Sequence, residues 1–581
     1  MRDRHTVLVA ALILGLAVAV VPAATAGSVG TGADADHSQP EFIQDCAAEP
    51  PDDFDAPSDS NQAIGWVDGY WYNEPLDIDV EGGLSEDELT RLSARTAARF
   101  EAMRCLTADE GVPPVDVKSR EEFAEEQNGT FANVSAALRQ ADNAKFETML
   151  IIGSEVESTE VREQNRAATV GGSYNFRTDT ITVVSDDRDS LLIDEKILVH
   201  EIGHAVQDQQ FNISRYDRPT VDIDKGILSL IEGDVTYIEN QYLDACENGE
   251  WEKPCVTEDF AGNGSTNGGA SEPANWGLYF TEFQPYSDGP SLIQSVYEDG
   301  GWEAVNDLYE DPPRSAYYSA FSGSYGEVEL TDIEVPDRST DEWERLTFDN
   351  TTDYDTIGVA GISAMFKSPT YESGAEVNIY EPQDILNVGP SGEVDEFNPL
   401  NYNQPETEGW RDDKFYTYHN ATNETAGVWT IDWASAEDAE PFLGSYQELI
   451  EFRNGERVDG YASTYTFGED SAFDMALTIV PDGDQVTIVT APSVEDLTAV
   501  HDVELVEESG DGSGANGGGD DGNDDGDDTD DGSDAGDDTD NGSNAGDDTD
   551  TTTDDSDGLG FGVAAAVVAV LAAALLARRR G

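Results

Sequence analysis

Apolar residues recur every three or four positions through most of residues 84–336 and alternate with polar ones over much of 340–508, so a largely helical part precedes a mixed one. Leu84-Ser85-Glu86-Asp87-Glu88-Leu89 predicts the start of an amphipathic helix capped by Ser85. Residues 191–211 and 226–239 predict two further helices, residues 292–297 begin another, and Pro312-Pro313 closes the series. Residues 174–184 are rich in β-branched side chains around a turn-like Arg177-Thr178-Asp179 and predict a strand or hairpin. In the second part, 415–418 and 427–433 predict strands, 435–452 a helix, and the surroundings of Phe473 and Val486 two more strands. Trp410, Trp429 and Trp433 fall on or just before alternating strand positions and are expected in a core. The expected fold class is α+β: a mainly helical domain with a small sheet at 84–339, then a smaller α+β domain at 340–508.

The two ends read as targeting elements. Arg2 and Arg4 lead an apolar run over 7–21 that ends in Ala24-Thr25-Ala26, which predicts a signal peptide at 1–26 followed by an acidic leader at 27–83. At the other end, Gly526-Asp527-Asp528-Thr529-Asp530 recurs at Gly536 and Gly546 within an Asp/Gly/Thr-rich stretch, 509–558, that has too little apolar surface to fold and reads as a disordered stalk. Residues 559–581 combine an Ala/Val/Leu run with Arg578-Arg579-Arg580. This is a short membrane span with its C-terminus inside, so the remainder faces outward from the cell surface.

Charge adds the solvent. The net charge is −92, from 30 Lys and Arg against 122 Asp and Glu; only 19 of those acids lie in 509–558, so the folded part is itself strongly acidic. Such a surface repels itself in dilute buffer and is screened to a few ångströms near 1 M salt, which makes brine the expected medium. It also argues against a nucleic-acid partner, whose footprint is a basic patch. Four cysteines, none in C-x-x-C spacing, suit an exported chain: Cys246 and Cys255 bracket a short loop, and Cys46 and Cys105 can tie the leader to the first helix, among three possible connectivities. Eight N-x-S/T sequons, Asn128 and Asn420 among them, suit a glycosylated exterior.

The candidate chemistry lies in Val199-His200-Glu201-Ile202-Gly203-His204-Ala205. Residues four apart share a helical face, so His200 and His204 can present nitrogens to one metal while Glu201 stands beside it. With 6 His and 122 acids among 581 residues, roughly 0.01 such spacings arise by chance. The pattern implies a zinc hydrolase site, placed mid-helix and half-buried, in which Glu201 takes a proton from activated water. A third ligand is required. Of the other histidines, His5 falls in the signal peptide and His37 in the leader, and the position six beyond His204 holds Gln210. A carboxylate is expected instead, and Glu232, set among Leu, Ile and Gly, is an acid that needs a cation or partner. Glu239 reads as a solvated helix acid.

His200-Glu201-Ile202-Gly203-His204-Ala205-Val206-Gln207-Asp208-Gln209 with the later Ile231-Glu232-Gly233-Asp234 resembles gluzincin-type metallopeptidase domains, in which a downstream helix supplies a glutamate as third zinc ligand. The resemblance implies that His200, His204 and Glu232 are ligands and Glu201 the general base. It further implies a zincin-like fold for 84–339, a strand beside the active-site helix that can pair with an extended chain, and a peptide or protein substrate. Thermolysin-like enzymes carry an Asp four residues beyond the ligand Glu; here that position is Thr236, which leaves Asp234 or Asp208 to orient a ligand histidine. Tyr237 and Tyr286 are candidates to stabilise an oxyanion. From about Leu84 to Val506, through Ser93-Ala94-Arg95-Thr96-Ala97-Ala98-Arg99-Phe100-Glu101 and Gly300-Gly301-Trp302-Glu303-Ala304-Val305, the chain also resembles a family of exported haloarchaeal surface proteins of unassigned activity. Its C-terminus resembles the PGF-type sorting signal cut by archaeosortases, with Leu559 where that motif has Pro, so a plain membrane anchor is the other option. The alternative for the whole chain is a non-catalytic surface protein, structural or binding, with a relic or structural metal site.

Overall fold

The computed structural model describes residues 43–507 apart from 45, 59–62, 79–82, 186–192, 252–254, 257–270, 390–393, 396 and 469. The expected signal peptide, stalk and C-terminal span therefore lie outside the described residues. Among the described residues, no helix is long and apolar enough to cross a membrane.

A two-stranded ribbon, β1 (Trp66–Val67) and β2 (Tyr70–Trp71), packs on α1 (Glu86–Arg104). Ser85 starts that helix as expected: its hydroxyl accepts from the Glu88 amide at 3.3 Å, and the Glu88 carboxylate takes the Ser85 amide at 2.9 Å, a reciprocal cap. Then follow β3 (Val115–Lys118), α2 (Arg120–Gln127), α3 (Ala136–Thr148), α4 (Ser158–Thr169), β4 (Gly172–Asn175) and β5 (Thr180–Val184). The anticipated hairpin is β4–β5, turning through Asp179 at φ 49°, and β5 also pairs in parallel with β3, so β4 is an edge strand. The two helices that carry the candidate ligands are α5 (Glu195–Phe211) and α6 (Val221–Glu247).

α7 (Trp276–Leu308) corrects the sequence reading, which began a helix only near Leu292. It runs through Pro285 and Pro290 and breaks at Gly301, at φ 67° and ψ −165°. Its first half is buried nearly all round, so it lacks the one-sided apolar stripe that marks a surface helix. α6 and α7 cross with their backbones in contact: a Cβ added at Gly233 would sit 2.5 Å from the Gly289 carbonyl carbon. α5 approaches α6 similarly, since a Cβ at Gly203 would lie 2.6 Å from Val235 Cγ1.

After the short α8 (Tyr317–Ala320), the chain builds β6 (Trp343–Arg345), α9 (Gly358–Glu372), α10 (Pro382–Ile385), β7 (Trp410–Asn420), β8 (Thr425–Trp433), α11 (Ala436–Phe452), β9 (Gly455–Arg457), β10 (Thr464–Phe467), β11 (Ala476–Asp482), β12 (Gln485–Ala491) and α12 (Val494–Val500). The strands form one antiparallel sheet in the order β6-β7-β8-β12-β11-β10-β9. Leu497 and Val500 of α12 cover one face, against Val428 and Val489. The other face, with Trp429, Ile431 and Ile488, packs on Phe442 of α11 and Met365 of α9, and this core continues without a break into Phe146 of α3 and Phe280 of α7. The whole is α+β. Trp410, Trp429 and Trp433 are buried in that core. Asp413 ties the sheet to α9: its carboxylate accepts the Ile357 and Gly358 amides at 2.7 and 2.8 Å and the indole N–H of Trp410 and Trp429 at 3.1 and 3.0 Å. Of the three connectivities open to four cysteines, the structure has Cys46–Cys105 and Cys246–Cys255.

Candidate metal centre

Four residues apart on α5, His200 and His204 project from one face toward Glu232 on α6. Their Nε2 atoms are 3.1 Å apart, and Glu232 Oε2 lies 3.3 Å from the first and 3.0 Å from the second. All three are buried, a group able to hold a metal ion. A tetrahedral ion with ligand bonds of 2.0–2.1 Å separates its ligand atoms by roughly 3.3 Å, close to each side of this triangle. Oε1 of Glu232 is buried without a hydrogen-bond partner, and no side chain bonds the buried Glu201 carboxylate, which has only the Tyr174 backbone amide beside it. Uncompensated carboxylates cost several kcal/mol in an interior, roughly 1–3 kcal/mol per lost partner, so the donor set fits a cation. The motif is fully buried rather than half-buried, because α1, α6 and β4 close around α5.

The histidines are oriented by residues other than those expected. Asp208 accepts from the Tyr174 hydroxyl at 3.3 Å, and Asp234 is taken up by Arg104 at 2.7 Å and Tyr309 at 2.6 Å; neither touches a ligand histidine. Glu239, read as a solvated acid, is instead buried, and its carboxylate accepts the His200 Nδ1–H at 2.9 Å while Lys196 Nζ approaches to 3.3 Å. It stands seven residues beyond Glu232, two helical turns, and so on the same face. That spacing was a signal in the sequence. His204 is held by Gln207, whose Oε1 accepts its Nδ1–H at 3.0 Å. The Gln207 amide is fixed in turn by donating to Ile231 O at 2.9 Å and to the Tyr309 hydroxyl at 2.8 Å. Both Nδ1 atoms are thereby committed as donors, so a metal ion in the triangle would take the Nε2 lone pairs in place of the proton that His200 Nε2 shares with Glu232.

Electrostatics follow from this packing. Burial would lower the His200 pKa, but its hydrogen bonds to Glu232 and Glu239 outweigh that and hold it up at about 10. Burial would raise Glu232, yet His204 and His200 pull it well below the usual carboxylate range. For Glu201, burial dominates and lifts the carboxyl to about 8, with His200 acting in the other direction. Its carboxylate lies against β4, where a Cβ added at Gly172 would come within 2.8 Å of Oε1. Of the two tyrosines, Tyr286 stacks on His200 at a ring separation of 6.1 Å, whereas Tyr237 packs among Tyr297, Trp302 and Phe397. A cavity of about 350 Å³ is lined by Glu232 and Tyr286 together with residues of α3, α4 and α7.

Residues 344–501 match a domain of unknown function (DUF8575), a span running from β6 through α12 and thus excluding all three candidate ligands. No curated protein and no solved structure matches the chain.

Proposed function

We propose that this chain is a zinc-dependent metallopeptidase, exported and held on the outer face of a halophilic archaeal cell. The observation that carries the reading is the buried His200–His204–Glu232 triangle with the buried Glu201 carboxylate on the same helix. Zinc, when bound there, supplies Lewis-acid activation of a water and of the peptide carbonyl. Glu201 takes the proton released by that water and delivers it to the leaving amine. Glu239 and Gln207 keep the two imidazoles in the tautomer and orientation that offer Nε2. The strand β4, at the edge of its sheet and beside Glu201, is the element against which an extended substrate would pair. Tyr286, whose ring lies against that of His200, is the candidate for stabilising the carbonyl oxygen.

A second reading has its own support. The ligands are almost wholly enclosed, and the cavity is lined by Glu232 but not by Glu201, which suits a metal that braces α5 against α6 in a non-catalytic surface protein. Metal content and two variants separate the readings. The first expects about one zinc per chain purified from molar KCl, its loss in His204→Ala, and peptide cleavage that disappears in Glu201→Gln with zinc retained. Zinc retained without turnover in the unmodified chain establishes the bracing role, and absence of zinc refutes both.

A further inference from the structure

Six of the chain's eight sequons lie among the described residues, at Asn128, Asn133, Asn212, Asn350, Asn420 and Asn423. They come from four separate stretches of chain, yet residues 43–127 and 424–507 carry none. The four stretches gather at one opening. The cavity of about 350 Å³ has exposed lining at Ser214, Asp217 and Asp353 and runs inward to the buried Ile231 and Glu232. Asn212, just past the end of α5, precedes the lining residues Ile213 and Ser214. Asn350, in the loop between β6 and α9, precedes the lining residues Thr351, Thr352 and Asp353. Asn133 stands directly before Val134, a half-exposed lining residue on the way into α3. Asn423, in the β7–β8 turn, accepts through its backbone carbonyl from the Gln140 side chain of α3 at 3.3 Å, and Gln140 adjoins the lining residue Ala141. All four asparagines are exposed and lie in turns or at the ends of elements, where a modifying enzyme can reach the side chain.

We infer that Asn133, Asn212, Asn350 and Asn423 carry N-linked oligosaccharides that form a collar round the mouth of this cavity, admitting extended chains and turning away folded ones. The size limit rests on the metallopeptidase reading; the modification does not. In each attachment a bond forms between the asparagine amide nitrogen and the anomeric carbon of a lipid-phosphate-linked oligosaccharide. The bond from that carbon to the phosphate oxygen breaks, the phosphate leaves with its lipid, and the amide gives up one proton. Bulk is the form of selection that brine leaves available. Surface carboxylates repel an acidic protein in dilute buffer, but molar salt screens that repulsion to a few ångströms. Covalent sugar excludes volume at any ionic strength. Because the candidate ligands are buried, a substrate must pass an opening to reach them, and hindrance there acts on association. Two of the four asparagines, Asn350 and Asn423, belong to the span that matches the domain of unknown function, so that module supplies half of the collar.

The test uses the full chain produced in a halophilic archaeal host. Glycopeptide mass spectrometry is expected to find sugar on at least three of the four asparagines; fewer overturns the collar. Asn133→Gln, Asn350→Gln, Asn212→Gly and Asn423→Gly together remove the acceptors, glycine being chosen where φ is 51° and 65°. Both forms, zinc-loaded in molar KCl, then meet a quenched fluorogenic peptide library, either free or coupled by one end to serum albumin. Loss of the collar should raise kcat/KM for the coupled library by about tenfold or more and leave that for the free library within about twofold. The same change for both libraries, or none for either, overturns the size limit and leaves the hydrolase standing. If the combined variant fails to fold by circular dichroism, the unmodified chain from a host strain lacking the oligosaccharide transferase takes its place. If neither form cuts either library, the hydrolase reading falls and the size limit with it, while the mass spectra still judge the collar.

Discussion

Replacing Glu239 tests whether the site's outer support has been assigned correctly. In the structure its carboxylate takes the His200 Nδ1–H at 2.9 Å with Lys196 at 3.3 Å, and only 7% of the residue is exposed. A hydrogen bond to a charged acceptor contributes roughly 1.5–3 kcal/mol, against about 1 kcal/mol for the neutral amide oxygen that Gln would leave. The difference of about 0.5–2 kcal/mol corresponds to a roughly two- to thirtyfold weaker zinc affinity in Glu239→Gln, because the ring loses the anion that raises its basicity. Glu239→Ala removes the acceptor and should approach about a hundredfold. Asp208→Asn is the control: Asp208 bonds Tyr174 and no ligand histidine, so affinity should stay within about twofold. Competition titration against a chromophoric chelator in molar KCl gives the affinities, with circular dichroism to verify the fold. If Glu239→Gln binds zinc as the unmodified chain does, or Asp208→Asn loses as much, the assignment is wrong.

Three further outcomes follow from residues away from the candidate metal site. Asp413→Ala leaves four buried N–H donors unpaired; at about 1–3 kcal/mol each, even a partial sum is comparable to a domain's whole stability, so denaturant midpoints should collapse or the chain should not fold. Glu101, buried against the Gly65 and Ala108 amides, is lifted by burial to about 7. Its folded value exceeds the unfolded one, so its contribution is full below about pH 4.5 and is lost as pH rises through 7, up to about 3 kcal/mol; the stability difference between the unmodified chain and Glu101→Gln, measured by chemical denaturation from pH 5 to 7.5, should therefore shrink. A constant difference would refute it. Removing the Cys46–Cys105 bridge, which spans 59 residues, should cost about 4 kcal/mol, and the Cys246–Cys255 bridge, spanning 9, about 2.6 kcal/mol, if chain entropy dominates; equal losses in thermal scans of the paired Cys→Ser variants would argue for local strain.

The ligand set was legible because chemistry constrained it. The four-residue spacing of His200 and His204 and the scarcity of other histidines left Glu232 as the acid in an apolar setting, and the structure brings the three together. Glu239 was hidden by the composition: in a chain with 122 acids, one more on a helix looks solvated, and only its two-turn offset from Glu232 distinguishes it. Gln207 was silent for a different reason, since an amide's role is set by what lies opposite. Strand and helix positions in 410–491 followed from alternation, but the order of the seven strands did not, since pairing β8 with β12 depends on contacts more than fifty residues apart. α7 was cut short because burial on all sides erases the amphipathic signal and its prolines mimic a boundary. For the same reason the continuous core joining α3 and α7 to the sheet left no trace in local pattern.

Gly233 and Gly289 meet directly beside the candidate ligand Glu232. A crossing made of main chain has no side chains to repack, so neither helix can advance by a residue without collision, and even Ala at 233 would wedge them apart. The consequence is kinetic. Glu232 is held at one address by that crossing, so an ion bound there would exchange by entering and leaving the buried site rather than by movement of α6 against α7.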